Sequence, residues 1–284
     1  MKKILVPTDF SKPSQWALET AIGIAKKTKA EIILLHVIEK PTDGSFNVEG
    51  QVFDYTDQEE KLFTLMLIKK GKSQLEETAQ AAETSDVAIQ TELRIGNPFH
   101  GIRAIITDHK VDLVVMGTSG RTRLEEALVG SNTEKVVRYS RRPVFSIHEK
   151  PTTTEYKNIV YATSLNENEK SFAEIVKQMQ ETYDATLHMV RINTPMVFQP
   201  DYLVKKTMEN FARKLNLKNF TLNIFSDYDE EEGIIHFASS IKADAIAMAT
   251  HGRTGFAHVL ARSIAEDVVN HSSMPVLTYI TRGD

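Results

Sequence analysis

Short runs of consecutive apolar residues alternate along this chain with longer stretches whose apolar positions recur at helical spacing. In the first half the pattern predicts strands over Lys3–Thr8, Glu31–Ile38, Val87–Ile95, Asp112–Gly117 and Pro143–His148. These runs are continuously apolar rather than alternating, as in parallel strands buried on both faces of a sheet. Between them the spacing predicts helices near residues 12–29, 56–84, 98–109 and 131–141. Strands that alternate with helices imply right-handed crossovers and an open α/β sheet.

The same order then repeats. Lys157–Thr163 mirrors Lys3–Thr8, Leu187–Ile192 mirrors Ile33–Ile38, Asp244–Ala249 mirrors Asp112–Gly117, and Pro275–Ile280 mirrors Pro143–His148. The clearest internal match sets Met116-Gly-Thr-Ser-Gly-Arg-Thr122 against Met248-Ala-Thr-His-Gly-Arg-Thr254. The period is too long for a solenoid and fits a tandem duplication. We therefore expect two α/β domains, at 1–150 and 151–284. The polar stretch Glu149–Glu155 between them has the composition of a linker. The long segment Pro41–Tyr55, with Gly44 and Gly50, is expected to be a lid or binding loop.

Composition narrows the classes. The 284 residues are 41% hydrophobic and 25% charged, ordinary for a globular protein. The absence of cysteine excludes a disulfide scaffold, a thiolate zinc site and a catalytic Cys, and fits a reducing compartment. The net charge of −4, all of it in the second half, gives no strong attraction to nucleic acid or an anionic membrane. Apolar runs such as Ile32–Leu35 are strand-length, far short of the roughly 20 residues that span a bilayer. The opening Met1–Val6 resembles a signal peptide only until Pro7 and Asp9 interrupt it, so a cytoplasmic protein is expected.

In an open α/β sheet, ligands bind beyond the carboxyl ends of the strands, where the strand order reverses. The unusual residues of the first half fall at such ends. The first strand runs into Pro7-Thr8-Asp9-Phe10-Ser11, and the fourth into Gly117-Thr-Ser-Gly120. Gly130 then precedes Ser131, Asn132 and Thr133 at the start of a helix. Gly117, Gly120 and Gly130 permit tight turns and close approach of backbone to a ligand. Free N–H groups and the helix dipole at Ser131–Thr133 favour an anion such as phosphate. Asp9 is an acceptor-only carboxylate suited to a ribose hydroxyl or a base amino group. Each residue alone would also serve as a plain turn or N-cap. The combined spacing Gly-x₂-Gly-x₉-Gly-Ser is what points to a site.

With Pro7-Thr8-Asp9 at the end of the first strand and Leu35-His36-Val37 at the end of the second, this motif resembles the universal stress protein family. The resemblance covers both halves, strongly in the first and in degenerate form in the second. It implies the Rossmann-like, adenine nucleotide α-hydrolase-like fold: two tandem five-stranded parallel sheets packed as an intramolecular pseudo-dimer. It also implies ATP as ligand, with a divalent metal such as Mg. Pro7, Thr8, Asp9 and the backbone around Val37 would frame the adenine. Met116 and Gly117 would flank the ribose. Gly120, Arg121, Gly130, Ser131 and Asn132 would hold the phosphates. Gly96-Asn-Pro98 matches a family turn before the third helix.

The second half departs from this pattern. Its motif reads Ala249-x₂-Gly252-x₉-Arg262-Ser263, so two of the three glycines are lost. Arg262 is expected to fill the space that phosphates need, although a guanidinium also attracts anions. Asp9 aligns with Ser164, which removes the carboxylate. Gly96-Asn-Pro98 aligns with Tyr228-Asp229-Glu230, inside the acidic run Asp227–Glu232. That run would repel a polyphosphate as a field, or favour a helix N-terminus locally. His251 replaces Ser119 and is read as a loop residue. The second half is thus expected to be a structural or regulatory partner with weak or no ATP binding.

Other motifs fail on inspection. Gly96-x₄-Gly101 lacks the Lys-Ser/Thr of a P-loop. No Gly-x-Gly-x-x-Gly follows the first strand. Gly117-Thr-Ser119-Gly120 is one residue short of a nucleophile elbow. Asp227-x-Asp229 starts like a calcium loop, but Gly233 and Ala238 stand at the wrong positions. The nine histidines include no His-Glu-x-x-His pair. Trp16 has core spacing on the first helix and is read as packing. The last strands, at Pro143 and Pro275, are expected at sheet edges, where the resemblance implies that they pair the two domains. A homodimer of the whole chain is left open. So are two alternatives to an ATP-binding signalling protein with at most slow hydrolysis: an enzyme that hydrolyses or transfers nucleotides, and an interaction module without nucleotide.

Overall fold

The computed structural model describes residues 1–39, 57–82, 86–118, 132–165, 169–251 and 264–281. Five strands of the first half, β1 (Lys3–Pro7), β2 (Glu31–Ile38), β3 (Ile89–Ile95), β4 (Leu113–Gly117) and β5 (Val144–Ile147), lie in the order 3-2-1-4-5, all parallel. Four helices accompany them: α1 (Lys12–Thr28), α2 (Asp57–Ala82), α3 (Pro98–Asp108) and α4 (Asn132–Tyr139).

The second half repeats the plan. Its strands are β6 (Asn158–Ala162), β7 (Thr186–Asn193), β8 (Phe220–Ser226), β9 (Ala245–His251) and β10 (Val276–Thr281). Its helices are α5 (Lys170–Tyr183), α6 (Asp201–Lys214), α7 (Glu230–Ser240) and α8 (Ile264–His271). The ladders match residue for residue: Lys3 pairs with Glu31 as Asn158 pairs with Thr186, and Val114 with Val144 as Ile246 with Val276. Backbone details repeat as well. Phe10 and Leu165 both take positive φ, at 63° and 61°, and the α1 and α5 caps Lys29 and Asp184 are both left-handed.

The two last strands are not edges. β5 and β10 pair antiparallel, with Phe145 opposite Leu277, and join the halves into one ten-stranded sheet. The edges are instead β3 and β8. The polar Gln90, Thr91, Glu92 and Arg94 of β3 therefore face no further strand, as suits an exposed edge. Alternate strand residues feed two core layers. Ile4, Val6, Ile32 and Leu34 pack under α1 and α2, whereas Leu5, Ile33 and Leu35 pack under α3 and α4. Both layers continue into the second half, with α5 and α6 on the first face and α7 and α8 on the second.

Carboxylates fix the strand starts in both halves. Asp112 accepts the backbone N–H groups of Lys2 (2.6 Å) and Lys3 (3.1 Å). Asp244 does the same for Lys157 (2.8 Å) and Asn158 (2.8 Å). The polar linker is no free tether. Glu155 pairs with Lys27 of α1 at 2.8 Å, Tyr156 is fully buried, and Thr154 sits where a side chain at Gly23 would otherwise be. Trp16 is partly buried against the core, as its spacing predicts.

Candidate functional site

The strand order reverses between β1 and β4, so their carboxyl ends mark the switch point of the first half. Pro7 ends β1, and Thr8 continues the ladder by donating its N–H to the Leu35 carbonyl at 2.8 Å. The Thr8 hydroxyl accepts the Phe10 N–H (3.0 Å) and lies 3.0 Å from the Ser14 hydroxyl. These bonds hold the sharp left-handed turn at Phe10. The Thr8 carbonyl accepts a hydrogen bond from His36 Nδ1 at 2.8 Å, which ties the β1 end to that of β2, and the Phe10 and His36 rings lie 4.6 Å apart.

Asp9 is exposed at this rim. Its Oδ1 accepts the backbone N–H of Ser11 at 3.0 Å and the Ser11 hydroxyl. Partial burial pushes its pKa up, but the Ser11 hydrogen bonds outweigh this and hold it below the ordinary aspartate value. Asp9 is therefore an oriented, ionised acceptor at neutral pH. Ser11 in turn caps α1 by accepting the Ser14 N–H.

Met116 is buried at the end of β4 and Val37 is half-buried at the end of β2. Gly117 has a packing reason of its own. A Cβ there would lie 2.4 Å from the Pro13 carbonyl carbon and 2.5 Å from its oxygen, so the missing side chain lets α1 start against β4. The close approach expected of this glycine is thus made by Pro13. Gly117→Ala should cost about 1–3 kcal/mol by over-packing, read as a lower denaturation midpoint; an unchanged midpoint would contradict this packing. The Gly117 carbonyl accepts the Thr133 hydroxyl at 3.1 Å, and the Thr118 hydroxyl lies 2.8 Å from His148 Nδ1. Burial lowers the His148 pKa. Asn132 is the first residue of α4, so that helix N-terminus lies beside the β4 end.

The structure thus brings Pro7, Thr8, Asp9, Val37, Met116, Gly117 and Asn132 to the carboxyl rim of β1, β2 and β4. Gly120, Arg121, Gly130 and Ser131, and the segment Pro41–Tyr55, lie outside the described residues, as do Gly252, Arg262 and Ser263. Gly96-Asn97-Pro98 behaves as expected: Asn97 caps α3 by accepting the His100 N–H, and Gly96 has φ of 124°.

The second half differs in a way its alignment conceals. Ser164 does replace Asp9, yet a carboxylate stands at the β6 end. Glu169, fully buried, accepts the Thr163 hydroxyl (2.6 Å), the Ser164 N–H (3.1 Å) and hydroxyl, and the Tyr161 hydroxyl (3.4 Å). Glu169 is the counterpart of Ser14, and its bonds to Ser164 stand in for those between Ser11 and Asp9. The expected loss of the carboxylate is therefore corrected: a carboxyl group remains, but it moves from an exposed rim position to a buried, internally bonded one. A Glu where the first half has Ser14 was the available signal.

The acidic run at the second rim is largely structural. Asp229 caps α7 by accepting the Glu232 N–H, and Glu230–Glu232 form its first turn. Asp227 pairs with His236 at 2.7 Å, Glu231 with His271, and Arg191 lies 4.0 Å from Glu230. The Asp227 hydrogen bond raises the His236 pKa and lowers that of Asp227. Gly233 takes part in packing rather than in a cation loop: a Cβ would lie 2.6 Å from Ile192 Cγ2, as one at Gly101 would lie 2.9 Å from Val37 Cγ2.

The halves also meet beside the site. Arg138 of α4 makes a two-pronged ion pair with the buried Glu266 of α8, and Asn270 donates to Glu134 at 3.2 Å. The Glu266 carboxylate raises the Arg138 pKa. A shallow depression of about 420 Å³ lies at the opposite, amino-terminal edge of the sheet, beside Lys2, Lys3 and Asp108. It is remote from the switch point, which is therefore placed by topology. No cluster of three or more potential metal-ligating side chains occurs among the described residues, and no helix among them is long and apolar enough to cross a membrane.

Comparison with known proteins agrees with this geometry. The universal stress protein family model matches the chain twice, over residues 1–148 and 155–279. Universal stress protein MJ0531 of Methanocaldococcus jannaschii is 35% identical over 146 residues, covering 51% of this chain and 81% of that protein. Universal stress protein MJ0577 of the same organism is 31% identical over 159 residues, covering 52% and 96%. A universal stress protein from Archaeoglobus fulgidus superimposes over nearly the whole chain, with a TM-score of 0.77, 20% identity and coverage of 98% and 96%, a likeness of fold alone. With both halves matched and the duplicated strand order in place, the chain belongs to the universal stress protein family, as a tandem member.

Proposed function

We propose that this protein binds one adenine nucleotide, ATP with a divalent cation such as Mg²⁺, at the carboxyl ends of β1 and β4 in the first half. The observation that carries the reading is the exposed, ionised Asp9, oriented by Ser11 at the switch point of the sheet. Asp9 would accept from ribose hydroxyls or the base amino group, with Pro7, Thr8 and the Val37 backbone around the adenine and Met116 and Gly117 beside the ribose. Gly120, Arg121, Gly130, Ser131 and Asn132 would take the phosphates and their cation, at the N-terminus of α4. None of these five is a base suited to activating water, so hydrolysis is at most slow and the protein acts as a nucleotide-responsive stress signalling component. The second half, with its carboxylate buried as Glu169, serves as a structural or regulatory partner.

Calorimetry of the full chain with MgATP tests the reading. Asp9→Ala removes a charged hydrogen-bonding group worth about 1.5–3 kcal/mol, so ATP should bind about 10- to 150-fold more weakly. Equal affinity in the variant would overturn the assignment. A turnover well above one per minute that Asp9→Ala abolishes would favour the enzyme alternative.

A further inference from the structure

A cavity of about 340 Å³ opens where the halves meet, on the face of the sheet that carries α1 and α5. Pseudo-symmetry explains its shape. The Phe145–Leu277 pair of the β5–β10 ladder lies at the pseudo-two-fold, and both residues line the cavity. Ile24 of α1 and its mate Met179 of α5 line it too, as do Thr28 and its mate Tyr183.

On one side of the axis the corresponding space is filled by Tyr156. Its ring stands edge-on to Phe145 at 5.3 Å and 75° and to Tyr183 at 5.0 Å and 84°, with no exposure. The strand registers align Met1 with Tyr156 and Leu277 with Phe145, and the matching left-handed caps Lys29 and Asp184 align Thr28 with Tyr183. Met1, Leu277 and Thr28 all border the cavity. Met1 itself is 43% exposed. The cavity is thus the counterpart of the tyrosine's own socket, left without a ring.

We propose that this junction cavity is a second binding site, for a small planar aromatic molecule of one or two fused rings with a hydroxyl. Its ring would lie as the Tyr156 ring lies across the axis. An apolar cavity of about 150 Å³ already holds a benzene ring, so the space suffices. Ile24, Ile175 and Leu277 offer apolar walls, Phe145 and Tyr183 offer aromatic edges, and the Met179 thioether favours ring contact. Gln178 and Thr182 in the wall provide partners for the hydroxyl: the Thr182 hydroxyl donates to the Gln178 carbonyl at 2.7 Å and keeps its oxygen free to accept, and the Gln178 amide can donate or accept. Pockets at domain junctions with apolar walls and a few polar groups are common ligand sites. The site is separate from the strand carboxyl ends and stands independently of the nucleotide reading.

The test titrates 2-naphthol into the full chain carrying labelled isoleucine and methionine methyl groups, followed by NMR. The methyls of Ile24, Ile175 and Met179 should shift together and saturably. Thr28→Trp, which fills the cavity, should weaken binding at least tenfold, and cyclohexanol should bind at least tenfold more weakly than 2-naphthol. Three results would overturn the proposal: no methyl shift up to the solubility limit, shifts centred on Met116 instead, or wild-type affinity in a folded Thr28→Trp protein. If Thr28→Trp fails to fold, the methyl map of the wild-type protein decides alone. Binding of cyclohexanol as tight as that of 2-naphthol would refute the aromatic class.

Discussion

Tyr156→Ala should lower the stability of the chain by about 3–5 kcal/mol, the cost of deleting a large, fully buried aromatic side chain. Three contributions add at this position. The ring loses its apolar burial. Its edge-to-face contacts with Phe145 and Tyr183 disappear, each worth about 0.5–1.5 kcal/mol. The void also opens behind Phe145 and Tyr183, which already border the junction cavity on another side, so these two rings have less support from which to collapse into it. The effect falls on the contact between the halves, because Phe145 lies in β5, Tyr183 in α5, and the linker leads directly into Tyr156. Urea denaturation should show the midpoint shifted strongly downward. A loss below about 0.5 kcal/mol, the range of an exposed substitution, would show that the linker does not lock the halves together.

Gly130→Arg should abolish ATP binding, weakening it at least a hundredfold in calorimetry while the circular dichroism spectrum stays unchanged. The substitution copies the second half, where Arg262 occupies the aligned position just ahead of α8. A long side chain there competes with phosphates for the space before the α4 N-terminus. The converse change is informative for a different reason. Arg262→Gly alone should not create a second site, because the β6 end is already taken up by the buried Glu169 and its bonds to Thr163 and Ser164. Unchanged ATP affinity in Gly130→Arg would contradict the phosphate assignment. Binding of a second ATP in Arg262→Gly would contradict the role given to Glu169.

Much of the fold was legible in the chain. Strands buried on both faces leave continuous apolar runs, and the repeat of those runs foretold the duplicated sheet. The edge position of β3 was harder to see, since Val87 and Ile89 make its start look like an interior strand while Gln90–Arg94 carry the polar character of an edge. The pairing of β5 with β10 followed from family resemblance rather than from residue pattern, because an unpaired edge and an interface strand share one composition. The site was legible where backbone demands are local, as at Asp9 with Ser11 or Asn97 before α3. It was obscured where partners come from afar. Pro13 explains Gly117 and Ile192 explains Gly233, each through a contact that linear spacing does not encode, whereas Glu169, five residues from Ser164, could have been read from its alignment with Ser14.

The central claim is a single working nucleotide site in a duplicated fold, and its most direct test is the ligand the protein carries. Freshly purified protein is denatured, and any released small molecule is identified by mass spectrometry and quantified per chain. About one ATP per chain is the expected result. Two per chain would contradict the asymmetry between the halves. No nucleotide, together with no ATP binding in calorimetry, would contradict the nucleotide reading altogether and leave an interaction module on the same sheet.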